Sequence, residues 1–115
     1  MTTIGSTKYV FDIDGTICIS EKSNYGEAKP LYDRIHLINK LFEEGGYIIF
    51  HTARGMGSSN NNQDLARAKW EELTLKQLSD WEVKYHELFM GKPSGDFYID
   101  DKGVKDIDFF GPYSQ

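Results

Sequence analysis

A single cysteine, Cys18, stands among the 115 residues. That excludes an intrachain disulfide framework and a multi-cysteine zinc site, and agrees with a reducing compartment. No apolar run approaches the roughly 18 to 20 residues of a membrane span, and the opening MTTIGSTKYV lacks the basic start and apolar centre of a signal peptide. A cytoplasmic chain with no membrane partner is expected. Basic clusters are missing too: 13 Lys and Arg face 18 Asp and Glu, a net charge of −5, and the pI is near 5.1. Nothing here tracks a phosphate backbone, which argues against nucleic acid as the main partner. There is no internal repeat, no low-complexity tract and no histidine pair with zinc-like spacing, so any metal should be a hard one.

What is present reads as one globular domain spanning residues 1–115. Apolar residues make up 39% and aromatics 14% of the chain, enough for one packed core. KYVFDI at 8–13 runs into the turn formers Asp14, Gly15 and Thr16 and predicts a first strand. In 31–46 the apolar Leu31, Ile35, Ile38, Leu41 and Phe42 recur at helical spacing between Pro30 and the Gly45–Gly46 pair, which predicts a helix. YIIFHT at 47–52 has the continuous apolar character of a strand buried on both faces. Residues 63–73 predict a second helix, with Thr74 and Gln77 shaped like a capping box for another reaching Trp81. HELFMG at 86–91 and DFYID at 96–100 predict two last strands. The polar stretch at 55–63 predicts an exposed loop. Alternation of strands and helices predicts an α/β fold of three layers, a mainly parallel sheet covered on both faces. Ligands of such sheets bind beyond the carboxyl ends of the strands.

Chemistry follows each predicted strand: Asp12 and Asp14, then Thr52 with Arg54, then Lys92, then Asp100 and Asp101. Carboxylates gathered at one rim repel one another, and a hard divalent cation would resolve the conflict. Oxygen ligands with room for water and a phosphate suit Mg²⁺. Asp12 beside such an ion is the candidate nucleophile toward phosphorus, giving an aspartyl phosphate. Asp14, two residues on, is placed to protonate the leaving oxygen and then to activate water. Thr52 can hydrogen-bond a phosphoryl oxygen, and Lys92 offsets charge in the transition state.

FDIDGT at 11–16, with Thr52, Lys92 and Asp100/Asp101 in the order of three further motifs, resembles the haloacid dehalogenase superfamily. YGEAKP, FHTARG, the MGKP around Lys92 and FYIDDK are similar to its small capsule-biosynthesis phosphatases. The resemblance implies a Rossmann-like fold and an aspartyl-phosphate mechanism with Asp12 as nucleophile and Asp14 as acid/base. It implies Mg²⁺ held by Asp12, the Asp14 carbonyl and Asp100, with Asp101 close by or acting through water. The substrate implied is a small phosphorylated metabolite, such as a sugar phosphate of polysaccharide synthesis. Only residues 17–30 separate the first motif from the first helix, too few for a cap domain. The open rim suits a bulky substrate or closure by a second copy in a homo-oligomer.

Blander readings compete residue by residue. Asp-x-Asp-Gly-Thr alone could be a strand ending in a turn, Thr52 a strand-end hydroxyl bonded to backbone, and Lys92 or Asp100/Asp101 solvated charge. Arg54 divides evenly between an oxyanion clamp and a surface salt bridge, and stays outside the catalytic set. His36, His51 and His86 read as packing or surface residues, with His51 near the rim. Cys18 reads as a small buried apolar residue, and Trp70 and Trp81 as helix packing. Two other functions stand beside the metabolite phosphatase: a nucleotidase, and a noncatalytic binding or assembly module.

Overall fold

The computed structural model describes residues 7–21 and 24–111 of the chain. Its centre is a three-stranded parallel sheet of β1 (Lys8–Phe11), β4 (Tyr47–Thr52) and β5 (Glu87–Met90), in the order β1-β4-β5. Between β1 and β4 in sequence come β2 (Cys18–Ile19), a 3₁₀ turn (Tyr25–Glu27), β3 (Lys29–Pro30) and helix α1 (Tyr32–Glu43). Helix α2 (Gln63–Asp80) joins β4 to β5, and a short α3 (Asp106–Phe110) follows.

β4 is central because its sequence lets it be. Ile48 and Phe50 are buried with Thr52 on alternate positions, and the residues between them are half-buried. Such a strand needs cover on both faces, the signature of a parallel sheet. Register puts Phe11 beside Phe50, and Thr52 beside Met90, so Asp12 and Lys92 leave the sheet at the same end. Ile35 and Ile38 of α1, Leu78 of α2 and Phe110 of α3 meet Phe11, Ile48 and Phe50 in one core. Phe109 packs edge-on against Tyr9, Phe11 and Phe110, and Phe110 lies tilted against Phe11. Arg34 of α1 ties α3 down through Asp106 at 2.7 Å.

Three expectations change. Residues 63–80 form one helix rather than two: Thr74 lies inside it, buried, donating its hydroxyl to the Trp70 carbonyl at 2.8 Å. A threonine can spend its hydroxyl on the turn behind it, so the capping pattern signals no helix start there. Asn62 is the true cap, its side chain accepting the Leu65 N–H. Where the sequence suggested no element, Cys18 pairs with Pro30 and Ile19 with Lys29 in a small antiparallel ribbon.

The third change is the largest. DFYID at 96–100 is not a strand, and every residue from 93 to 105 is exposed. Connection length explains this. Parallel strands of one chain need a crossover of about a dozen residues or more. Only five residues, 91–95, separate Met90 from Asp96. Six Cα steps reach about 20 Å. The start of the free edge of β1 lies about 13 Å down the sheet and three strand spacings across, already about 19 Å in a straight line. The path would also have to arch over the helices that cover the sheet.

Candidate active site

β1 ends at Phe11, and the chain then turns sharply. Gly15 takes φ +84, its N–H bonds the Cys18 carbonyl, and Thr16 and Ile17 both donate to the Ile13 carbonyl. Ile13, Ile17 and Cys18 are fully buried, and they hold this turn so that Asp12 and Asp14 face outward over the sheet end. β5 closes the other side, where the N–H groups of Gly91 and Lys92 both reach the Thr52 carbonyl. That fixes Lys92 beside Asp12, with Nζ 3.5 Å from Oδ1. The ammonium also lies 4.4 Å from the Tyr98 ring centre, a cation–π contact.

Burial raises the Asp12 carboxyl above the ordinary aspartate value; the Lys92 ammonium and the Ile13 N–H pull it back down, and Asp14 adds a smaller upward push. Burial also lowers the neighbouring His51, aided by Lys92 and opposed by Asp12. His51 therefore favours its neutral form, packed edge-on to Phe89. Cys18 is inert: burial and Asp14 push its thiol up to about 12, far from the thiolate a nucleophile requires.

Asp14 is held by a side chain that the sequence reading left outside the site. Arg54 donates Nε to Oδ2 at 2.9 Å and Nη2 to Oδ1 at 3.0 Å, and the Ser20 hydroxyl donates to Oδ1 at 2.9 Å. Only 1% of Arg54 is exposed. Its remaining Nη1 donates to Thr74 Oγ1 at 3.1 Å and Gln77 Oε1 at 2.6 Å, both on α2. The guanidinium also packs on Tyr25, whose carbonyl accepts Gln77 Nε2 at 2.7 Å. A planar fork with several donors suits this junction, and a lysine could not satisfy it. Gly55 makes the close approach of α2 work: it has φ +78, and a Cβ there would stand 2.5 Å from Trp70 Cδ1.

These groups line an open pocket of about 540 Å³ at the carboxyl ends of the strands. Asp12, Asp14, Arg54 and Lys92 supply two carboxylates and two cations. Ser20, Tyr25, Ser58, Ser94 and Tyr98 also line it, the Tyr98 hydroxyl donating to the Pro93 carbonyl at 2.8 Å. Ser58 falls in the 55–63 loop that sequence had placed at the surface, Tyr25 in YGEAKP and Tyr98 in FYIDDK; Ser20 and Ser94 carried no pattern to single them out. Thr52 is buried, and its Oγ1 accepts the Arg54 N–H at 3.1 Å. That matches its blander reading, a strand-end hydroxyl bonded to backbone.

Asp100 and Asp101 do not join the pocket. Both are exposed, and Asp100 Oδ1 accepts the Lys102 N–H at 2.6 Å. Among the described residues no three Asp, Glu, His or Cys come together as a metal site. Asp12 has the Lys92 ammonium beside it, and both oxygens of Asp14 are engaged. Mg²⁺ therefore has a partial donor set in one chain and does not fit as expected, because the arm carrying Asp100 and Asp101 stands away from the sheet.

Fold and site together define a small α/β domain with a parallel three-stranded sheet and a polar, charge-paired pocket at its strand ends. No protein-family model and no curated protein matches the chain. Among solved structures it is similar to a structural-genomics target from Vibrio cholerae, with 29% identity over 91% of this chain and 88% of that one and a TM-score of 0.83. It is also similar to a chain of the Pnkp1/Rnl/Hen1 complex, with 17% identity, 87% of this chain covered and a TM-score of 0.57. The second likeness is one of fold alone, and this chain spans about a third (32%) of that one. No helix among the described residues is long and apolar enough to cross a membrane.

Proposed function

We propose that this chain is a phosphomonoester hydrolase of the haloacid dehalogenase type, acting on a small phosphorylated metabolite through an aspartyl phosphate on Asp12. The observation that carries this is the Asp12–Lys92 pair, 3.5 Å apart, with Asp14 beside it in one pocket. A carboxylate poised as nucleophile needs to be ionised, and Lys92 favours that form against burial. The same ammonium attracts the phosphoryl oxygens, where charge collects in the transition state.

In the first step an Asp12 oxygen bonds to phosphorus, the ester P–O bond breaks, and Asp14 in its acid form gives its proton to the leaving oxygen. In the second, water attacks phosphorus, Asp14 takes the water proton, and the Asp12–phosphorus bond breaks to release phosphate. Arg54 and Ser20 occupy both Asp14 oxygens in the resting chain, so these proton transfers require one of those bonds to be given up when substrate enters. Thr52 acts indirectly, its hydroxyl and carbonyl fixing the turns that bear Arg54 and Lys92. The Mg²⁺ requirement that the sequence resemblance implies is tested by chelation, which should abolish phosphate release.

The hydroxyl-rich wall supports a polyhydroxylated leaving group, such as the sugar phosphate of capsule or polysaccharide synthesis that the sequence resemblance suggests. Phosphate release from a panel of sugar phosphates and nucleotides, compared by kcat/KM, is the direct test. Asp12→Asn should abolish turnover with the fold intact. Equal turnover by that variant, or no release from any substrate by the natural chain, rejects the reading, and the latter would favour a noncatalytic binding module.

A further inference from the structure

Residues 93–105 form an exposed arm with an apolar tip: Phe97 is 85% exposed and Ile99 94%, with Tyr98 and Val104 also open. A soluble chain does not leave such a segment bare without a use for it. The same molecule offers a matching vacancy. β1 pairs with β4 along one side, and its other edge has no strand partner among the described residues, with Val10 63% exposed. An unpaired edge beside a free segment of strand-forming residues invites pairing. The arm cannot satisfy that edge in parallel within its own chain, for the reason of reach given above.

We propose that two copies of this chain exchange their arms, residues 96–100 of each adding as a fourth, parallel strand along the free edge of the other's β1. The segment leaves the sheet at Pro93–Gly95, beyond the fixed Gly91 and Lys92, and no crossover is needed because the strand enters a different sheet. Parallel addition with Phe97 beside Tyr9 places Ile99 beside Phe11 and Asp100 beside Asp12. Asp100 and Asp101 of one copy then stand at the pocket of the other. The carboxylates that fail to meet in one chain meet in two, and each pocket becomes a shared one. This last consequence rests on the phosphatase reading; the exchange itself does not.

Light scattering of the full chain should give twice the 13.2 kDa of one copy. Ile99→Asp, on the exposed tip, should give the mass of one copy with an unchanged helical circular dichroism spectrum. A natural chain with the mass of one copy, or an Ile99→Asp chain that still pairs, overturns the exchange. Shared pockets are tested by co-expressing Asp12→Asn with the Asp100→Asn/Asp101→Asn double variant. Each alone should be inactive, whereas random pairing restores about a quarter of natural phosphatase activity, since half the dimers are mixed and each has one intact pocket. No restoration, with mixed dimers present and the natural chain active, overturns the sharing. Should the natural chain release no phosphate, the phosphatase reading fails, while the two mass measurements still decide the exchange.

Discussion

Asp12 meets two opposed demands, since it must ionise to attack yet is placed where ionisation is disfavoured. Because burial raises its carboxyl in the folded chain, the native state carries an electrostatic penalty that is absent below the ordinary aspartate range and grows as pH rises through the raised value. Asp12→Asn should accordingly melt higher than the natural chain at neutral pH, by an increment kept small by solvent screening, while losing all turnover. Thermal melts repeated at falling pH should show the advantage vanish in acid; an advantage independent of pH would contradict this account of Asp12.

Arg54 is the opposite kind of residue, a buried charge whose removal leaves others unpaired. Asp14, Thr74 and Gln77 all lean on it. Arg54→Ala should lower stability by about 3 kcal/mol, the usual loss on breaking a buried pair from one side. Arg54→Lys should recover part of that stability and little activity, because a single ammonium cannot hold both oxygens of Asp14. Denaturant unfolding and kcat/KM on one substrate check the two halves of this prediction.

Among the elements, β1, α1, β4, the start of α2 and β5 follow from local pattern. A strand buried on both faces and a helix flanked by Pro30 and Gly45 need no tertiary information to declare themselves. Asp12, Asp14 and Lys92 share the pocket because strand ends converge in a parallel sheet, a rule that sequence order can reach. Other features were hidden for physical reasons. Arg54 divides between an oxyanion clamp and a surface salt bridge until α2 supplies Thr74 and Gln77 as buried partners some 20 residues later. Thr74 looks like a cap because a hydroxyl bonded to the preceding turn leaves the same sequence trace. Residues 96–100 have strand composition, yet composition says nothing of whether the preceding link is long enough to bring a strand into place.

α3 shows how a short element is kept. Five residues cannot hold a helix by themselves; Phe110 buried on Phe11 and the Asp106–Arg34 bond at 2.7 Å do so. Arg34 holds Asp106 below its ordinary 3.8, so this bond stabilises the fold above that value and fades as pH falls through the lowered one. Asp106→Asn should cost about 1 kcal/mol near neutrality, between the worth of an exposed pair and a buried one. The difference between variant and natural chain should close in acid, measured by urea unfolding at several pH values.

On the scale of the whole molecule, the dominant feature is an asymmetry of order. Its extents are 44 × 29 × 25 Å, and its exposed stretch, residues 93–105, touches the pocket through Ser94 and Tyr98 but leaves Phe97 and Ile99 open. A protease that cuts after aromatic residues should find Phe97 and Tyr98 before any aromatic of the core, because cleavage requires an extended, accessible segment and the core aromatics are released only by unfolding. If the arms are exchanged, that susceptibility belongs to the separated copies, and pairing removes it. Cleavage within 97–98 should then slow as protein concentration rises at a fixed protease concentration, since mass action fills the paired state. Ile99→Asp should be cut quickly at every concentration. Fragment masses followed over time distinguish this from a simple exposed loop, whose fractional rate of loss at a fixed, unsaturated protease concentration would not depend on the protein's own concentration.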